Sequence, residues 1–319
     1  MKYVQETAFE KYMEIFRNLR ALYAKVCVLL LKIFSRLRYL KEAKNVRSLW
    51  VAYFYLRSCT KWKDDNRFDV IAENKEIDDP NVIWIYWRQG YDQAPPLVQK
   101  CIMSARQYAG KYRVVLLDET NRKDYVRFPD YIERKHDEQI IKEALFSDLL
   151  RISLLIHYGG IWCDATCLWT AELPEIIENS DFFMFSESQM MANITPIVGS
   201  NWLIKAEKSN VILIKTRNCL FNYWYRHNFL PHYFIFHLVL SLLVKEDEEA
   251  KKVWNSMPYI CNMNPHVMQF SFHKPYTKSS FESIVAQCFV HKLTYKFDPS
   301  ILENDIDGKT VLHYILEEI

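Results

Sequence analysis

Two short stretches carry side chains that could do chemistry together. They are Ser147-Asp148-x-x-Arg151 and, after Gly159-Gly160, the run Ile161-Trp162-Cys163-Asp164-Ala165-Thr166. Asp148 and Arg151 are three residues apart, side by side on a helix surface. Alone, such a pair is a surface contact worth a few tenths of a kcal/mol. Asp164 ends an apolar run, and a carboxylate at the end of a buried strand is costly unless it has a cation to bind. Thr166 could add a hydroxyl. Hard oxygen ligands of this kind suit magnesium or manganese bridging phosphate oxygens. The chain has no GxGxxG, Walker, GxSxG or HExxH motif, so a phosphate ligand would depend on side-chain cations or a metal rather than on a glycine-rich loop.

The elements that must position these groups follow from periodicity. Leu145, Leu149, Ile152 and Ile156 fall on one helical stripe, with Asp148 and Arg151 on its flank. Gly159-Gly160 ends that helix through a left-handed C-terminal position; two glycines in succession, out of six in the whole chain, mark a backbone requirement. Upstream, residues 81–87 form an apolar run of strand length. Pro95-Pro96 opens a helix through Tyr108, and residues 112–118 form a second strand ending in Asp118. Strand, helix, strand, helix, strand predicts an α/β fold with a mainly parallel sheet, in which ligands bind beyond the carboxyl ends of the strands. Trp87, Asp118 and Asp164 would share that rim. Further strands are expected at 181–186 and 289–294, and helices at 210–225, 233–245 and 310–319.

Half of the 319 residues are hydrophobic, enough for a large core. The net charge of +2 is unevenly spread: residues 1–63 hold fourteen Lys and Arg against four Asp and Glu, leaving 27 against 35 in the remainder. The division expected is a basic helical N-terminal region, 1–75, and a catalytic domain, 76–319. Residues 1–63 contain no glycine or proline and interleave basic with apolar and aromatic residues. That suits a helix lying on an anionic membrane surface or, equally, a helical hairpin packed on the domain. The apolar run Val26–Leu31 is too short to span a bilayer, no signal peptide is visible, and no module accompanies the charge that would bind nucleic acid. The eight scattered cysteines read as buried free thiols in a reducing compartment. The expected location is cytoplasmic, at the inner face of the cell membrane.

The pattern Ser147-Asp148-x-x-Arg151, then Gly159-Gly160-Ile161-Trp162-x-Asp164, resembles the nucleotide-sugar site of DXD-containing glycosyltransferases of family 32, and most closely their capsular polysaccharide synthesis branch. The similarity runs from about Val82 to Thr170, with Trp87, Arg88-Gln89-Gly90 and Leu117-Asp118 in the expected order. The resemblance implies a GT-A-like domain moving a sugar from a nucleoside diphosphate donor, uridine-linked, to a growing glycan or lipid-linked saccharide with retention of configuration. It implies that Trp87 stacks on the base, with Gln89 beside the donor. Asp148 and Arg151 would hold donor hydroxyls and the reacting end of the sugar. Asp164, Thr166 and His291 would hold manganese or magnesium, and Lys292 would neutralise phosphate.

One departure is Thr166, which stands where the usual motif has a second aspartate. It motivates one rival, a non-catalytic donor-binding assembly protein; a second, a sugar-phosphate transferase, would want the same metal, arginine and carboxylates. Other readings are plainer. Trp84 is core. His266 with Asn262 and Asn264 reads as a hydrogen-bonded loop rather than an acceptor pocket, and His227, His232 and His237 receive no role.

Overall fold

The computed structural model describes residues 41–65, 67, 80–303 and 309–318. Residues 1–40 and 68–79, which hold most of the basic arm and the expected boundary near residue 75, lie outside the described residues.

A five-stranded sheet organises the chain. Its strands are β1 (Val82–Tyr86), β2 (Arg113–Leu117), β3 (Gly160–Cys163), β5 (Phe182–Ser186) and β6 (Gly199–Ala206), in the order β2-β1-β3-β6-β5. β1 runs parallel to β2 and β3, while β6 is antiparallel to both β3 and β5. The sheet is therefore mostly parallel, with β6 alone reversed. A separate antiparallel pair joins β4 (Cys167–Trp169) to β7 (Val290–Lys292).

Both faces of the large sheet are covered, and its strands read as continuous apolar runs for that reason. Alternation divides each strand between two cores. Val82, Trp84 and Tyr86 face one, and Ile83 and Ile85 the other. On the first face lie α4 (Glu143–Tyr158), α5 (Val211–Arg226) and α6 (Ile235–Glu246), and on the second α2 (Pro96–Gln107), while α1 (Lys41–Leu56) and α3 (Asp130–Asp137) add residues to the first core. The expected buried helix at 233–245 is α6, lined on nearly every side by core residues.

Between α4 and β3 the chain has almost no room. Gly159 has φ +73° and Gly160 φ +92°, and a Cβ on Gly160 would stand 2.5 Å from the Val82 carbonyl oxygen. The Gly159 carbonyl in turn accepts the buried Trp84 indole N–H at 3.0 Å. The two glycines bring α4 directly against the head of β3.

Residues 41–62 do not stand apart from this body. Leu49, Ala52, Tyr53, Leu56 and Cys59 belong to the same core as α4, α5 and α6, so of the two readings of this region residues 49–59 follow packing on the domain, though Phe54 is exposed. Among the described residues no helix is long and apolar enough to cross a membrane. The seven described cysteines are free thiols.

Candidate active site

The residues singled out around Asp148 and Asp164 form one chain of alternating charge. Arg151 Nη2 lies 3.3 Å from Asp148 Oδ1 and 3.2 Å from Asp164 Oδ1. Lys292 Nζ donates to Asp164 Oδ2 at 2.9 Å and to Thr166 Oγ1 at 2.6 Å. Side-chain exposure is 12% and 6% at Asp148 and Arg151 and rises to 24% and 18% at Asp164 and Lys292, so the mouth lies at the Asp164–Lys292 end.

Each member is fixed by an identifiable element. Asp148 and Arg151 share one turn of α4, and Arg151 Nη1 donates to the Asn201 carbonyl at 2.6 Å. Its guanidinium also lies 5.0 Å from the centre of the Trp162 ring, a cation–π geometry. Asn201 Nδ2 donates to Asp148 Oδ1 at 2.8 Å. The Asp164 backbone N–H donates to the Trp202 carbonyl at 2.8 Å, and its side chain accepts the Trp162 indole N–H at 2.9 Å. The chain then turns into β4, and the Cys167–Lys292 register of β4 with β7 brings Lys292 to the turn.

The two carboxylates are tuned apart. Burial pushes Asp148 up to about 6, with Arg151 opposing and Asp164 adding to the rise. Burial also disfavours ionised Asp164, but the charges of Lys292 and Arg151 outweigh it and hold the group below the usual carboxylate range. Lys292 rises because Asp164 more than offsets the cost of its burial. Near neutral pH the site thus holds two carboxylates and two cations.

The other expected residues are placed differently. β7 alternates, so His291 and Lys292 point to opposite faces. His291 is buried against Thr170, whose hydroxyl lies 3.3 Å from its Nε2, while its Nδ1 has no hydrogen-bond partner among the described residues. Burial lowers its pKa to about 4. Asp164, Thr166 and His291 do not converge, and among the described residues no group of three or more His, Cys, Asp or Glu could hold a metal ion. The Asp164 carboxylate and the Thr166 hydroxyl are already engaged by Lys292, Arg151 and Trp162. The residues present therefore do not fit a resident manganese or magnesium ion.

Trp87 ends β1. The Ile83–Ile161 and Trp84–Trp162 register, extended, puts Tyr86 beside Asp164 and Trp87 one residue beyond it. The Trp87 ring meets Tyr295 edge-on at 5.3 Å, and its indole N–H has no partner among the described residues. Gln89 is exposed on the following turn, where Gly90 has φ +78°. Asp118 is a turn acid, since its Oδ1 accepts from Thr120 N and Oγ1 and from Asn121 N at 2.6–2.9 Å.

Several neighbours of the site escaped sequence reasoning. Asn201 and Trp202 lie in the first half of β6, and Trp202 Nε1 donates to Asn262 Oδ1 at 2.9 Å. Asn262 Nδ2 in turn lies 3.3 Å from Glu187 Oε1, and the His266 ring stands 6.2 Å from that of Trp202. Thus the 262–266 loop, read as a plain hydrogen-bonded loop, is bonded to the rim beside Asp164. His237, given no role, lies in the field of Arg151 and Asp164, and burial together with Arg151 lowers it to about 3. The exposed Tyr233 senses the charges of Asp148 and Asp164. Of this group, Tyr233 and His237 lie in a stretch dense in aromatic and histidine residues, 223–237.

A family model described as "Capsular polysaccharide synthesis protein" matches residues 38–315. Among curated proteins, the O-glycosyltransferase braB of Annulohypoxylon truncatum is 36% identical over 106 residues, which is 30% of this chain and 25% of that protein. The similarity therefore spans a quarter of that relative's length. A solved structure titled PaToxG Glycosyltransferase is similar at 18% identity and a TM-score of 0.36, covering 66% of this chain and 81% of that one.

Proposed function

This chain belongs to the capsular polysaccharide synthesis protein family, and from that premise we propose that it is a GT-A-like glycosyltransferase. It moves a sugar from a nucleoside diphosphate donor, uridine-linked, to a growing capsular or surface polysaccharide. The observation that carries this reading is the Asp148–Arg151–Asp164–Lys292 chain, two carboxylates and two cations at the carboxyl rim of a mostly parallel sheet. Such a rim is where α/β folds bind ligands.

The geometry supports the following roles. Asp148 accepts a hydroxyl of the donor sugar, with Asn201 and Arg151 fixing the carboxylate. Arg151 and Lys292 place positive charge where the diphosphate departs, and charge placed in advance stabilises a leaving anion most effectively. Trp87, one residue past the level of Asp164 on the neighbouring strand, offers a ring to the base, and Gln89 a side-chain amide. In the transfer the bond from the anomeric carbon to the diphosphate oxygen breaks and the acceptor oxygen bonds to that carbon. The acceptor's proton leaves with the phosphate, so retention of configuration requires no dedicated base.

The test is a panel of nucleotide sugars, scoring slow donor hydrolysis in wild type and Asp164→Ala, each with and without chelator. Hydrolysis of one donor, lost in Asp164→Ala, is the expected result and names the sugar. A product heavier by a sugar phosphate would instead establish a sugar-phosphate transferase. Donor binding without turnover, even with acceptor glycans supplied, would favour a non-catalytic assembly protein, the reading that Thr166 motivates. No binding of any donor by the folded protein would sink the proposal.

A further inference from the structure

We propose that Lys292 occupies the place of a divalent cation in this site, so that the chain binds its nucleotide diphosphate without a metal. The inference rests on the donor reading above and concerns how that same site neutralises phosphate.

Three features of the site carry it. The ammonium of Lys292 is seated between Asp164 Oδ2 and Thr166 Oγ1, at 2.9 and 2.6 Å, bridging the two side chains that were expected to chelate an ion. The third expected ligand, His291, is turned to the opposite face of β7 and lies against Thr170. The Asp164 carboxylate also carries Arg151 at 3.2 Å and the Trp162 N–H at 2.9 Å. A divalent ion brought to this carboxylate would have to displace at least one cation and would be repelled by the other.

Thr166 then has a physical explanation. An ammonium has three N–H donors and no acceptor; two of those of Lys292 are used on Asp164 and Thr166, and the third is left to a phosphate oxygen at the open end. A hydroxyl at 166 accepts an N–H without adding negative charge, so the positive charge of Lys292 stays available to the ligand. A second carboxylate there would leave the site with a net negative charge and the two anionic oxygen ligands that draw a divalent ion. Asp164 is accordingly a positioning residue that aims Lys292, and Lys292 with Arg151 supplies the charge.

The experiment is calorimetric titration of the full chain with uridine diphosphate, in chelator and in manganese, for wild type, Lys292→Gln and Thr166→Asp. Manganese uptake is followed in parallel by electron paramagnetic resonance. Wild type should bind the nucleotide equally, within about threefold, under both conditions, and take up no stoichiometric manganese. Lys292→Gln should weaken binding about tenfold to a hundredfold, as the loss of a charge-assisted contact does, without rescue by manganese. Thr166→Asp, which keeps Lys292, should acquire manganese uptake and a metal-dependent affinity. Nucleotide binding by wild type only with manganese, with one ion taken up alongside it, would overturn the proposal. So would a folded Lys292→Gln protein with wild-type affinity. If neither uridine diphosphate nor the guanosine, adenosine and cytidine diphosphates bind under either condition, the donor reading itself fails and this inference with it.

Discussion

Asp148 is held in a state its surroundings oppose, and that makes it testable in two ways. Its folded pKa of about 6 lies above the ordinary carboxylate value of 3.8. For an acid shifted upward, the stabilising contribution is fully present below the unfolded value and is lost as pH rises through the folded one. Ionised Asp148 therefore costs stability above about pH 6, and Asp148→Asn should be the more stable protein at pH 8, by roughly 1–3 kcal/mol, with the difference fading towards pH 4. Urea titrations of both proteins across that range would check the sign; a variant less stable than wild type at pH 8 would contradict it. Activity should move the other way. If ionised Asp148 holds a donor hydroxyl, donor turnover should fall on an acid limb near pH 6, and the limb should vanish in Asp148→Asn together with most of the rate. Arg151 is the opposite case, because its removal strands Asp148 and Asp164 together. Breaking a buried pair from one side costs about 3–5 kcal/mol, so Arg151→Ala should show a loss of that order by chemical denaturation. A loss under about 1 kcal/mol would show the pair to be exposed.

The α4–glycine–β3 unit was legible in the sequence because each of its signals is local. The stripe of Leu145, Leu149, Ile152 and Ile156 lies within one helix, and the glycine pair meets a steric need that a single turn imposes. Gly160→Ala tests that need. With φ at +92° and a Cβ only 2.5 Å from the Val82 carbonyl oxygen, the substitution must shift β3 or β1. A destabilisation of about 2–4 kcal/mol is expected, with donor hydrolysis falling further than stability because Asp164 lies four residues on. Unchanged denaturation midpoints would remove the steric account. What the sequence did not reveal came from long-range pairing. β6 enters the sheet between β3 and β5, and it begins with Gly199, Ser200 and Asn201, so no apolar run announces its start. The union of Trp202, Asn262 and Glu187 depends on that insertion and on the 260–262 segment bonding to Ser186. The choice between His291 and Lys292 needed only strand alternation, but the direction of the alternation is set by the Cys167–Lys292 register, which no local pattern encodes.

At the scale of the whole molecule, the charge step in the sequence and the limits of the core do not coincide. The excess of basic residues runs from 1 to 63, yet Leu49, Ala52, Tyr53, Leu56 and Cys59 are buried with α5 and α6. Electrostatics reinforces the join. Asp247 accepts from Lys63 and, at 2.8 Å, from Lys215, and it caps the following helix through Ala250 N at 2.9 Å. These bonds overcome its burial and hold it far below the usual carboxylate range. A depressed folded pKa gives stability that is present above the unfolded value and lost as pH falls towards the folded one, so the join should loosen in acid. The alternative expectation for this region, contact with an anionic membrane, would then rest on basic residues outside this packed segment. Binding to phosphatidylserine vesicles should weaken steeply with salt, and salt-independent binding would sink that expectation. The packing itself is tested by Leu56→Ala, at a site with no solvent exposure. If residues 41–62 were a detachable arm, the variant would loosen locally and leave the unfolding midpoint of the sheet unchanged. If they are part of one core, it should cost about 2–5 kcal/mol of global stability, as a cavity in any close-packed interior does. It should also preserve a single unfolding transition, with tryptophan fluorescence and far-ultraviolet circular dichroism changing together. Two separated transitions would restore residues 41–62 to an independent arm.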